Sequence, residues 1–131
     1  MIKDREKLAK YLAAWQGVGL DYNAFDCARF AAGWAVECGR PDPLDMYRKW
    51  YSKRQALKVI KDNGGRLLEA VTVTLGQYRE LNELSWGAVV CQDAPPFDAL
   101  GILDGSRVVC LSIYGGFRHA PRAQFAQGWN M

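Results

Sequence analysis

Histidine is nearly missing from this chain: His119 is the only one among 131 residues. That scarcity excludes a metal centre built from several imidazoles and leaves His-dependent chemistry a single candidate. Long apolar runs are missing too. No stretch approaches the roughly 20 apolar residues that a membrane-spanning helix needs. The opening Met-Ile-Lys-Asp-Arg-Glu-Lys has no signal-peptide core, which predicts synthesis in a reducing cytoplasm. Cysteine is sparse and widely spaced, at Cys27, Cys38, Cys91 and Cys110. Such spacing does not make a zinc ribbon, and reducing conditions argue against disulfides. No metal or cofactor is expected. A strong charge of either sign is also absent. The formal net charge is +3 and the basic residues are scattered, so they read as solubilising helix faces, with no nucleic-acid partner.

What is present is an ample supply of core. Half the residues are apolar, and five Trp, six Tyr and five Phe are spread from end to end. With no repeat, linker or low-complexity tract, residues 1–131 are expected to form a single domain.

Hydrophobic periodicity divides the chain in two. Residues 3–15 read as an amphipathic helix, with Leu8, Tyr11, Leu12 and Trp15 on one stripe, ended by Gly17-Val-Gly19. A second helix is predicted from Phe25 to Cys38, closed by Gly39, Pro41 and Pro43. Ser52-Lys-Arg-Gln55 matches a capping box, so a third helix is predicted from Ser52 to Asn63-Gly-Gly65. A short helix over 66–75 follows. After Ser85 the pattern becomes β-like: Trp86–Cys91, Ala99–Leu103, Arg107–Tyr114 and a fourth strand over Gly116–Pro121. Asp93-Ala-Pro-Pro96 and Asp104-Gly105 punctuate these runs, the second as a hairpin signal. Arg122–Gln127 reads as a terminal helical turn leading to Trp129. Helices first and an antiparallel meander second is an α+β layout.

The stretch Phe25-Asp-Cys-Ala-Arg-Phe30 admits two readings. Cys27, Phe30, Ala31, Trp34, Ala35 and Cys38 share one helical face, so Cys27 can be a small core residue, as Cys38, Cys91 and Cys110 are expected to be. Alternatively, a cysteine in the first turn of a helix has free N–H groups and the macrodipole beside it. Both favour the thiolate and prime a nucleophile. A nucleophile still needs a base from another element.

Phe25-Asp-Cys-Ala-Arg-Phe30 at a helix start, then Trp86-Gly-Ala-Val-Val90, then Ala99-Leu-Gly-Ile102 before Asp104-Gly105, resembles the NlpC-type branch of the papain-like cysteine peptidases. The compact size and the terminal Gly-Phe…Pro…Gly-Trp pattern resemble a small variant of that group found in tailed bacteriophages. The resemblance covers most of the chain. It implies a papain-like, NlpC-type fold with the N-terminal helices packed on the β-meander. It also implies a role at the phage tail tip or baseplate, with other tail proteins and peptidoglycan as partners and the virion as destination.

Carried over position by position, Cys27 takes the nucleophile position and Asp26 is its motif neighbour. The family's catalytic His falls on Ala99, which cannot accept a proton, and its third polar residue falls near Cys110. His119 on the predicted fourth strand is the remaining candidate base; Asp98 is a weaker one, since its charge would raise the thiol's pKa. Two functions follow from the resemblance. One is a degenerate member kept as a structural piece of the tail. The other is an active endopeptidase or amidase that cuts peptidoglycan stem peptides through Cys27. A thiol-dependent acyltransferase or deamidase on the same scaffold is a third.

Overall fold

A computed structural model of the chain describes residues 2–16, 26–43, 67–92, 99–111 and 117–131. Helices α1 (Ile2–Gln16), α2 (Asp26–Glu37) and α3 (Leu67–Leu75) precede six strands: β1 (Arg79–Glu80), β2 (Val89–Gln92), β3 (Ala99–Asp104), β4 (Arg107–Leu111), β5 (Phe117–Pro121) and β6 (Gln127–Trp129). The strands form one antiparallel sheet in the order β1-β6-β2-β3-β4-β5. The α+β class follows. None of the described helices is long and apolar enough to cross a membrane. The predicted helix from Ser52 to Gly65, the breaks at Gly17–Gly19 and Asp93–Pro96, and the end of the Arg107–Tyr114 strand lie outside the described residues.

The ends of α2 follow from its sequence. Asp26 opens it, one residue later than expected, and Gly39 closes it with a φ of 82° that only glycine adopts without strain. Gly39 N–H donates to Val36 O and Arg40 N–H to Ala35 O, each at 2.9 Å. This pair of bonds is the Schellman closure, and it satisfies carbonyls the helix cannot reach. The closure also aims Arg40 at the rest of the domain. Its guanidinium donates to Leu75 O at the end of α3 (3.0 Å) and to Asn130 O beyond β6 (2.9 Å).

Strand alternation sorts the core into two layers. On the helix side, Val89, Cys91, Leu100, Ile102, Val109 and Trp129 meet Phe30 and Trp34 of α2, Leu8 of α1 and Val71 of α3. The other face carries Val90, Leu103, Val108, Cys110 and Ala120, closed by Leu84 and Phe125. Cys91 and Cys110 thus lie on opposite faces, which keeps them apart. Both are buried, as expected, and no disulfide links Cys38, Cys91 or Cys110. Cys38 differs from expectation: it sits in the turn after α2 and is only partly buried.

Two strands differ from the reading of the sequence. Instead of a helical turn over Arg122–Gln127, a short 3-10 turn spans Arg122–Gln124 and the chain then extends into β6. That strand slots between β1 and β2, pairing Gly128 with both Arg79 and Val90. Gly128 makes the insertion fit, because a Cβ there would run into the Val89 carbonyl oxygen. Among the described strands, β1 pairs with β6 alone. The Asp104-Gly105 signal does mark a hairpin. Asp104 pairs with Arg107, so Gly105-Ser106 forms the loop, with Gly105 first and at positive φ as a type II′ turn requires.

Candidate functional site

Asp26 and Cys27 are the first two residues of α2. Their side chains, like that of Ala99, are outside the described ones, so the site is defined by where the elements lie. Helix α2 packs chiefly on β3 and also touches β4 and β2. Its aromatic residues fix its path across the sheet. Phe30, one turn after Cys27, lies 5.7 Å from the Phe117 ring at the start of β5. Four residues further on, the Trp34 indole donates to Gly87 O just before β2, at 2.7 Å. The helix therefore runs obliquely, with its start over the β5 side and its end over the β2 side.

Tyr11 and Trp15 of α1 hold that start in place. Tyr11 stacks on Phe30 with ring centres 5.7 Å apart, and Trp15 meets Phe30 edge-on at 5.6 Å. The Tyr11 hydroxyl donates to the Phe30 carbonyl. Gly33, one turn along, leaves room for that hydroxyl; a Cβ there would collide with it. Burial pushes the Tyr11 phenol above its ordinary range, and the charges of Glu37 and Asp42 add to the rise.

Two positions compete as partners for Cys27. Ala99 is the first residue of β3, the strand on which α2 chiefly rests, and pairs with Gln92. His119 is in β5, directly across from Val109. Residues directly opposite in an antiparallel pair share a face, and so do residues two apart on one strand. Val109 belongs to the helix-side core, so His119 lies on that face, two residues beyond Phe117. The imidazole is exposed, at the sheet edge. The fold thus brings His119 and the α2 start to the same side of the sheet. Asp98 lies outside the described residues. Among the described residues no three His, Cys, Asp or Glu side chains cluster in a way that could hold a metal.

Two recesses adjoin Trp86, which precedes β2. Arg5, Leu8, Ala9 and Leu12 of α1 line an open cavity of ≈ 310 Å³ beside Trp86 and Asp104. A smaller one, ≈ 150 Å³, lies on the far side of Trp86 and is lined by Lys7, Trp34, Cys38 and Met131. The Trp86 indole donates to Asp104 Oδ1 at 2.7 Å, and the Arg5 guanidinium carbon stands 5.8 Å from the ring centre. In the sequence Trp86 reads only as the head of a strand. The pairing with Asp104 spans 18 residues, and only the β2–β3 register brings it about.

Over residues 1–131 the chain matches the family described as Domain of unknown function (DUF6950), and it belongs to that family. No curated protein and no solved structure matches the chain.

Proposed function

We propose that the chain is a papain-like, NlpC-type domain that has lost its catalytic base and serves as a structural component of a bacteriophage tail tip. One observation carries this reading: the strand beneath α2 begins with Ala99, where the resemblance requires histidine. Acyl transfer from an amide needs a proton delivered to the leaving amine, and alanine cannot carry one. General acid–base help is worth about 10²–10⁴ in rate, so its loss leaves hydrolysis close to background. Other tail-tip or baseplate proteins are then the partners and the virion is the destination.

Purified protein is expected not to clear a peptidoglycan suspension, and Cys27→Ser is expected to leave virion assembly intact. Assembly that fails in a folded Cys27→Ser protein would sink the structural reading.

A second reading is favoured by the position of His119 on the helix-side face, two residues from the Phe117 that meets Phe30. In that reading Cys27 is the nucleophile and His119 a base moved from β3 to β5, and the chain cleaves peptidoglycan stem peptides. Clearing that is lost in both Cys27→Ala and His119→Ala would establish it. Clearing that survives Cys27→Ala would count against both readings.

A further inference from the structure

The cavity between α1 and the β3–β4 hairpin is unrelated to the Cys27 reading and has its own chemistry. Its floor is aliphatic, from Leu8, Ala9 and Leu12, and its rim carries one charge of each sign, Arg5 and Asp104. The two charges are anchored on the same side chain. Trp86 donates its indole N–H to Asp104 Oδ1, and the Arg5 guanidinium sits over the indole ring. Among the described residues neither charge has an ion-pair partner. Asp104 keeps its second oxygen, and Arg5 keeps its whole fork of donors.

We infer that this cavity binds an amino acid or dipeptide as a zwitterion, its carboxylate on Arg5, its ammonium on Asp104 and an apolar side chain on the Leu8–Leu12 floor. Three features favour that class. Fixing both charges on one indole lowers the ordering cost a ligand would otherwise meet. Guanidinium and carboxylate groups recognise opposite ligand charges directionally, the first with a planar fork of donors. A volume of ≈ 310 Å³ is at the small end of ligand sites, which run from about 300 to 1,000 Å³. A sugar fits less well. It would want an open aromatic face, and Arg5 already lies over this ring. Because Arg5 and Asp104 are exposed, solvent screens both, so the binding is weak.

The test uses the full chain and the dipeptide alanyl-leucine, followed through the ¹⁵N–¹H resonance of the Trp86 indole. That resonance is expected to shift with a dissociation constant at or below roughly 10 mM. Acetylating the amine or amidating the carboxylate is expected to weaken binding about tenfold each. Asp104→Asn, which keeps an oxygen for the indole N–H, should bind free and N-acetylated peptide alike. Arg5→Gln should bind free and amidated peptide alike. Both substitutions are at exposed positions, and unchanged thermal melts would show that the fold is intact. The inference fails if alanyl-leucine gives no shift up to roughly 10 mM, if the capped peptides bind as well as the free one, or if N-acetylglucosamine binds in preference.

Discussion

The two faces of the sheet are covered by different kinds of chain. Three of the described helices cover one face, and the large rings of Phe30 and Trp34 fill the space beneath them. The other face has no described helix over it; Leu84 and Phe125, from the loops flanking two short 3-10 turns, close it. The contrast shows where size is needed. A helix stands well above a sheet, so long aromatic side chains must fill the gap. An irregular segment lies closer and can be sealed by one ring and a few aliphatic groups. The helix face is therefore deep and dependent on a few large residues, and the other is shallow and more adaptable.

The largest expected effect is on the deep side. Trp34 is 1 % exposed and its indole N–H satisfies Gly87 O, so Trp34→Ala empties the centre of the core and strands a carbonyl. It is expected to cost about 3–5 kcal/mol in urea unfolding. Phe125 is the matching test on the shallow side, at 3 % exposure. Phe125→Ala is expected at the low end of that range, about 3 kcal/mol, because the covering turn can settle into part of the space. A cost for Phe125→Ala equal to or above that for Trp34→Ala would break the comparison.

A subtler test makes the shallow layer tighter instead of emptier. A Cβ added at Gly101 would press on Val108 Cγ1 and stand 2.9 Å from Cys110 Sγ. Gly101→Ala is expected to destabilise by about 1–2 kcal/mol through overpacking. If the cause is crowding, the combination Gly101→Ala with Val108→Ala should cost less than the sum of the two single changes. Strict additivity would mean that the strain lies in the backbone, where the Val109 carbonyl also stands 3.0 Å from the added atom.

The same contrast explains what could be read from the amino-acid order alone. The helix face was legible because Leu8, Phe30, Ala31 and Trp34 repeat at helical spacing, a pattern contained within each segment. Strands β2, β3 and β4 were legible from their Val-, Leu- and Ile-rich runs and from Asp104-Gly105. The shallow face was not. Arg122–Gln127 reads as a helical turn, and Gln127–Trp129 is a strand only because β2 and β1 offer free edges on either side. No local pattern carries such a pairing.

For the candidate site, Asp26-Cys27 at a helix start was legible, and so was Ala99 at the head of a strand. The face on which His119 lies was not, since it depends on the β4–β5 register. Nor was the Trp86–Asp104 bond, which needs the β2–β3 pairing to bring its partners together.

The smallest expected effect concerns the seam between α1 and α2 on the deep side. Tyr11 donates its hydroxyl proton to the Phe30 carbonyl while its ring stacks on the Phe30 ring. Tyr11→Phe keeps the stacking and removes the hydrogen bond, for an expected cost of about 1 kcal/mol at neutral pH. Alkaline conditions separate this bond from simple packing. Burial, with Glu37 and Asp42 adding to it, raises the folded-state pKa of the phenol above its ordinary 10.0. Above about pH 10 the unfolded chain has given up this proton while the folded chain still holds it. The unfolded state then binds fewer protons, so stability falls as pH rises. Urea unfolding between roughly pH 8 and 11 should therefore show the original protein losing stability faster than Tyr11→Phe. The gap between them is expected to close toward the alkaline end. Parallel curves over that range would mean that the Tyr11 hydroxyl is solvated, and that the seam is held by ring stacking alone.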